Sequence, residues 1–470
     1  FGSSYLSTQA HFGQNCEKRF DTPSDMFTMP LVAKSLALLS LASFASAVEL
    51  EDGGALNQDD QCAGDEQCAL NALQHRGAKV AAEAEELRAA EEEGQEAEEE
   101  DFEGTEVNYT HLLEYGCFAK PANMRLSWRA SGRDFFNQFT FVTQDDTHGA
   151  QRYLDYSEAV HQGVIGMSHH GSIFMKLGSL EKTGEWIAPY KRKSVMIHSN
   201  YAWHAQDGML VVMKYNHVPW GPSIWPAFWL MNSDEIWPDG GEFDIMEYAN
   251  DEASKITFHT NKNCMLDNRK VGYCMRGKRM GGSGPMNCNT NYWKNLFGCR
   301  PRQTQRTGEW YAKNPGVFAA AWDAEGITVY HIPNSEIPAD LKEDKPRPES
   351  WGKHAVAYLP YVGRTCHRDM AGPQEIVLNI ALCGDWAGNA WFKSGMARST
   401  GYTHGCRADI SKPYEDCCTK YATSHEHHVE EMFRRQGYFD IDYMKVYTPE
   451  GARMPQLSGI HKRGGRPLSA

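Results

Sequence analysis

The sequence predicts an all-β sandwich with long loops, preceded by an acidic, mobile N-terminal segment. Three observations carry that reading. Between about Thr110 and Thr448, short aromatic and β-branched runs alternate with clusters of Gly, Pro, Asn and Asp, the pattern of strands joined by turns. No long amphipathic helix interleaves with them, and the best helical candidate, around Glu426–Arg435, is short. The chain also holds 13 Trp, 21 Tyr and 42 Gly, a mixture that suits turn-rich β structure with flat aromatic surfaces. Short strands without helical alternation argue for a single sandwich, not an α/β fold.

The elements follow in chain order. Residues 1–28 read as translated leader outside the natural product. Met29 to Lys34 is a short basic start, Ser35 to Phe44 is an apolar run too short to span a bilayer, and Ala45-Ser46-Ala47 is a small-x-small cleavage site. Residues 29–47 thus read as a secretory signal peptide. The mature chain is then expected to be secreted, extracellular or in the cell wall, with no membrane segment after cleavage. Residues 48–106 form an acidic pro-segment or linker. They hold 20 acidic and 3 basic residues, whereas residues 107–470 hold 41 basic and 38 acidic ones. The formal charge of −14 therefore belongs to this segment, and no basic stripe for nucleic acid exists. Like charges crowded between Glu91 and Asp101 repel. Cys62 and Cys68 could close a small loop here, and Asn108 opens a glycosylation sequon.

Residues 107–450 form the folded domain. Its candidate strands include Phe135–Val142, Ser194–His198, Met209–Lys214, Ile256–His259, Ile327–His331, Glu375–Ala381 and Phe439–Tyr447. An insertion from Cys264 to Arg306, rich in Gly, Asn and Arg, reads as a loop stapled by Cys264, Cys274, Cys288 and Cys299, with pairings left open. Scattered cysteines in an exported chain become disulfides. Residues 451–470 are expected to be a flexible tail, and the protein to be a monomer.

The chemistry concentrates at Glu242-Phe243-Asp244-Ile245-Met246-Glu247. Three carboxylates lie within six residues, interleaved with side chains that suit a buried strand. In a regular strand Glu242 and Asp244 share a face and Glu247 points away. One extra residue at Ile245-Met246, as a β-bulge, would return Glu247 to that face. Retaining glycosidases need two carboxyl groups about 5–5.5 Å apart, one as nucleophile and one as acid/base. A third carboxyl between them splits the titrations of its neighbours. A metal cluster or a solvated edge strand are the other uses of such a triplet. Three crowded acids on an apolar strand disfavour folding, so function explains them better.

This strand, preceded by Trp225 to Leu230 and by Trp237-Pro238, resembles glycoside hydrolase family 16 in its laminarinase and fungal-type endo-1,3(4)-β-glucanase branch. Asp134 to Phe141, Asp146 to Ala150, Arg192 to Asn200, Thr257 to Thr260, Cys383 to Gly388 and Phe439 to Tyr447 match its blocks in order. The resemblance implies a concanavalin A-like jelly roll with a cleft across one sheet. It implies Glu242 as nucleophile, Glu247 as acid/base and Asp244 as the assisting carboxylate. It places His259 near the acid/base and assigns Trp229 and Trp237 to sugar stacking, with Trp225 and Trp386 as further cleft candidates. No cofactor is implied for catalysis. A structural calcium in many members points to Asp442 here.

The leading expectation is hydrolysis of β-1,3- or mixed β-1,3/1,4-glucan by double displacement, with the polysaccharide as the partner. A transglycosylase and a galactan hydrolase acting on agar or carrageenan are the alternatives within the family. A non-catalytic β-glucan-binding lectin is the reading from another class, and retention of all three acids speaks against it.

Overall fold

A computed structural model describes residues 116–119 and 123–463, apart from 146, 186–187, 277–284, 292–295, 302, 364, 367–369 and 410. Expectations for the leader, the signal peptide, the acidic segment and Asn108 lie outside the described residues. Described residues all belong to one compact unit, 107–469.

Two antiparallel sheets face each other. Fifteen strands compose them: β1 (Met124–Ser131), β2 (Phe139–Phe141), β3 (Ile165–Met167), β4 (Ile173–Lys176), β5 (Met196–Trp203), β6 (Met209–His217), β7 (Ile224–Met231), β8 (Glu242–Glu247), β9 (Phe258–His259), β10 (Gly316–Asp323), β11 (Gly326–Pro333), β12 (Ala355–Pro360), β13 (Gln374–Leu382), β14 (Tyr438–Pro449) and β15 (Gln456–Leu457). The eight-stranded sheet runs β12-β11-β10-β6-β14-β4-β3, with β1 also paired to β14. The seven-stranded sheet runs β9-β8-β7-β13-β5-β2, with β15 also on β5. The non-consecutive neighbours β10-β6-β14-β4 and β7-β13-β5-β2 mark the crossing connections of a jelly roll.

Alternation decides which face is core. From β8, Phe243, Ile245 and Met246 are fully buried in the main cluster, where Phe243 meets Phe258 and Trp322 edge-on or tilted. Strand β10, Gly-Val-Phe-Ala-Ala-Ala-Trp-Asp, is buried on both faces. Phe318, Ala320 and Trp322 enter the main core, and Val317, Ala319 and Ala321 join a second cluster with Tyr330, Ile332, Leu341 and Trp351. Burial on two sides is why this strand reads as a continuous apolar run and not as an alternation.

Two expectations need correction. The tail does not begin at 451. Gln456–Leu457 pairs with β5, Gly459–Lys462 is helical, and Ile460 is buried with its amide on Ser233 Oγ at 2.9 Å. These backbone bonds and the apolar anchor hold the segment to the domain. The insertion is also not stapled within itself by four cysteines. Only Cys288–Cys299 closes inside it; Cys264 pairs with Cys366 and Cys274 with Cys117, which tie it to other parts of the domain. Cys383–Cys418 and Cys406–Cys417 complete the described disulfides.

Candidate active site

Strand β8 pairs with β7 in the register Ala227↔Glu247, Phe228↔Met246, Trp229↔Asp244, Leu230↔Phe243 and Met231↔Glu242, with a shift between Phe228 and Trp229. Ile245 has no partner in that ladder and is the extra residue of a β-bulge. Two inward side chains in succession, Ile245 and Met246, move the alternation by one. Glu242, Asp244 and Glu247 then share the outer face with Trp225 and Trp229, which stand an even number of residues apart on β7. On the far side, β9 sets His259 directly across from Glu242.

Each carboxylate has a defined set of neighbours. The Trp225 indole N–H donates to Glu247 Oε1 at 2.8 Å, which leaves Oε2 to carry a proton. The Trp237 indole N–H donates to Glu242. His259 Nε2 lies 3.4 Å from Asp244 Oδ2 and 3.8 Å from Glu242 Oε1. The Asp244 amide donates to Thr257 O at 2.9 Å and fixes the strand there. Only 16 % of the Glu242 side chain and 5 % of that of Asp244 meet solvent.

Burial is the main reason these acids resist ionisation. It pushes Glu242 up, and the nearby Asp244 and Glu247 charges push the same way, while His259 and the Trp237 N–H favour its charged form. Burial raises Asp244 too, against the pull of Arg300. Glu247 is pushed up to about 8 by burial and by Asp244, with the Trp225 N–H, His259 and Arg300 opposing. Glu242 and Glu247 are thus both pushed up to about 8, so burial and mutual repulsion keep protons in the cluster near neutral pH.

The aromatic candidates take different places. Trp229 keeps its ring on the carboxylate face and donates its N–H to Asn379 Oδ1 at 2.9 Å, and Asn379 in turn donates to Tyr153 OH. Trp237 is the more open ring, 36 % exposed, tilted against His259 at 5.9 Å. Trp225 shares the face, but its N–H is committed to Glu247. Trp386 stands edge-on to Trp225 at 5.8 Å, donates to Glu252 Oε2 at 3.1 Å and carries the Lys255 ammonium over its ring at 4.1 Å. Reading the sequence alone missed Lys255, Glu252 and Arg300. Arg300 follows Cys299, whose backbone pairs in both directions with Phe258, and this brings the Arg300 guanidinium within electrostatic reach of Asp244 and Glu247. No motif marks it, because its place depends on the Cys288–Cys299 loop folding back onto β9.

The insertion also holds His259. Its Nδ1 is hydrogen-bonded to Thr290 Oγ1 at 3.2 Å. Gly298, at φ +81°, lies against the ring so closely that a Cβ there would stand 2.7 Å from His259 Nδ1 and 2.6 Å from Phe258 O.

Two groups of donors bear on metal binding. Glu242, Asp244 and His259 offer donor atoms within 4.8 Å of one another. Cys383, Asp416 and Cys418 also cluster, but the two sulfurs are joined as a disulfide. At Asp442, the residues present do not fit calcium. Its Oδ2 faces the Lys214 ammonium at 3.2 Å and its Oδ1 accepts from Asn216 at 2.7 Å. A bound ammonium and an amide N–H take the positions where a calcium ion would need further oxygens.

Residues 138–447 match the family model described as XgeA-like, catalytic GH16 domain. The chain is similar to a probable glycosidase of Schizosaccharomyces pombe, 29 % identical over 327 residues, covering 67 % of each chain. It is also 29 % identical over 331 residues to an endo-1,3(4)-beta-glucanase of Arthroderma benhamiae, covering 67 % of this chain but 62 % of that protein. Against a probable endo-1,3(4)-beta-glucanase of Aspergillus niger it spans 41 % of the relative's length. Among solved structures, an elongating family 16 beta-1,3-glucosyltransferase superposes with a TM-score of 0.56 at 25 % identity, covering 69 % of this chain and all of that one. Laminarinase 16A from Phanerochaete chrysosporium superposes with a TM-score of 0.54 at 24 % identity over 70 % of this chain and all of its own, and shares the fold. With the matched domain spanning most of the sandwich and the bulged acidic strand at its centre, the chain belongs to glycoside hydrolase family 16.

Proposed function

We propose that this protein is a secreted endo-glycosidase that hydrolyses β-1,3- or mixed β-1,3/1,4-glucan with net retention. The bulge at Ile245 carries the reading, because it sets Glu242, Asp244 and Glu247 on one face under the Trp225 and Trp237 donors. Glu242 attacks the anomeric carbon while Glu247 Oε2 gives its proton to the departing glycosidic oxygen. The bond to the leaving sugar breaks and a glycosyl ester forms on Glu242. Glu247, now a carboxylate, takes a proton from water as the oxygen attacks the same carbon from the opposite side. Two inversions return the β-anomer. The Asp244 charge raises the pKa of Glu242 and so adjusts how much of the nucleophile is charged. No step draws on a cofactor.

Proton NMR in the first minutes of laminarin hydrolysis tests this. The new reducing end should be β, drifting to the α/β mixture later. Initial release of the α-anomer would overturn both the order of steps and the assigned roles.

A second outcome of the same ester deserves its own test. The structural likeness to the elongating glucosyltransferase favours a sugar hydroxyl competing with water at the second step. Products longer than the starting laminari-oligosaccharide would reveal it, and their absence at high substrate concentration would leave hydrolysis alone. Export is supported by the apolar run and cleavage site before Val48 and by five disulfides among the described residues.

A further inference from the structure

We infer that Glu242, Asp244 and His259 form a site for a divalent transition-metal cation of the zinc type, and that an ion bound there blocks the catalytic carboxylates. Tetrahedral zinc holds nitrogen and oxygen donors at about 2.0–2.2 Å, which places neighbouring donors about 3.3 Å apart. His259 Nε2 already lies 3.4 Å from Asp244 Oδ2 and 3.8 Å from Glu242 Oε1. Donor atoms from all three side chains fall within 4.8 Å of one another. Drawing the two carboxyls together around the imidazole would complete three corners of a coordination shell.

The second observation is how the imidazole is held. Metal-bound histidines give their other ring nitrogen to a fixed partner, which sets the tautomer. Here Thr290 Oγ1 engages Nδ1 at 3.2 Å, so Nε2 is the nitrogen turned to the carboxylates. Thr290 is itself buried, its amide on Thr260 O at 2.7 Å. Gly298 closes the other side of the ring. The insertion thus gives His259 the fixed, singly oriented seat that a metal ligand needs. Selectivity follows from the donors. One nitrogen and two carboxylates suit zinc or copper, whereas calcium wants six to eight oxygens and magnesium an octahedron of them. Bound zinc takes the Glu242 lone pair that would attack the sugar, so inhibition is competitive with glucan.

The inference uses the same side chains as the proposed reaction, but its readout is metal binding, so the two fail separately. Isothermal titration of the full disulfide-bonded chain with zinc chloride should give one site per chain, with calcium and magnesium giving none. His259→Gln should abolish that site. Thr290→Val should weaken it by roughly 10–100-fold, the usual effect of losing a ligand's supporting partner. Should His259→Gln fail to give the wild-type melting curve, Thr290→Val decides. The exposed sequence His425, His427 and His428 is the competing locus, so His427→Ala/His428→Ala should leave the stoichiometry at one. Absence of zinc binding up to millimolar concentration, binding unmoved by both cleft variants, or binding lost in the double histidine variant would each overturn the inference.

Discussion

Protonation of the Glu247 side chain decides what the site does at a given pH. In the proposed role of acid it must hold a proton, and burial with Asp244 pushes its pKa up to about 8. Activity measured as kcat/KM should therefore fall as pH rises through about 8, and Glu247→Gln should abolish turnover with natural leaving groups by two or more powers of ten. The same burial acts on stability with a definite sign. A carboxyl whose folded pKa lies above its unfolded value favours the folded state at low pH, and that contribution is lost as pH rises from about 4.5 to about 8. Glu247→Gln should then raise the melting temperature at pH 8 relative to wild type and leave it nearly unchanged at pH 4. A variant that melts lower than wild type at pH 8 would show that Glu247 contributes to stability there. The three acids were legible in the sequence because polar residues interrupting a buried strand are rare without a use. Their donors were less so. Trp225 reads equally well as a sugar platform, and only the register of β7 on β8 shows its N–H committed to Glu247. Arg300 lies 53 residues beyond Glu247 in the chain and reaches the site only through a loop whose closure no local pattern announces.

Among the elements, the bulge and the insertion shape the site. The bulge was readable in advance because three acids with one off-parity make little physical sense in a regular strand. The insertion was not readable in detail, since disulfide pairing depends on which segments meet in space. Its Cys288–Cys299 hairpin supplies Thr290, Gly298 and Arg300 to the same small region around His259. Gly298→Ala tests whether that seat matters. The new Cβ meets Phe258 O and His259 Nδ1 well inside contact distance and also sits at φ +81°. Gly451→Ala is the comparison, at φ +84° with nothing within 4 Å. Both should lose about 1–2 kcal/mol from left-handed backbone strain alone. Gly298→Ala should lose more and should also reduce glucan hydrolysis, while Gly451→Ala should keep it. Equal losses of stability with equal activity would show that the ring is not held by this contact.

For the whole molecule, the sandwich was legible because short strands and turn signals recur without helices between them. Strand order was not, since sequence alternation says which face a strand buries and nothing about its neighbours. The limits of the domain divided in the same way. The C-terminal stretch lacks the apolar pattern of a strand, yet two residues of β15 on β5 and Ile460 beneath Ser233 bring it into the fold. Redox state is decided at this scale too. Ten of the 13 cysteines pair in the described residues, and only Cys16, Cys62 and Cys68 lie outside them. Thiol titration of the denatured, unreduced protein should thus find at most three free groups, and a count near 13 would remove the case for export.

Residues 48–106 pose the remaining question at that scale, and their composition makes a definite expectation. With 20 acidic against 3 basic residues and few large apolar side chains, they are expected from composition alone to be dispensable for the domain. The domain has its own anchors at its N-terminal edge. Cys117 is bonded to Cys274, the Ala119 amide donates to Thr328 Oγ1 at 2.7 Å, and β1 pairs along β14. None of these uses a residue before 107. A chain starting at Val107 should therefore fold with the same five disulfides and hydrolyse laminarin at a rate within about twofold of the longer form, as expected when no group in contact with substrate is removed. The melting temperature of the two forms should agree as well, since a segment that orders with the domain would contribute to it. Loss of folded protein on truncation, with recovery when the 48–106 segment is added in trans, would instead make it a folding element that composition alone does not reveal.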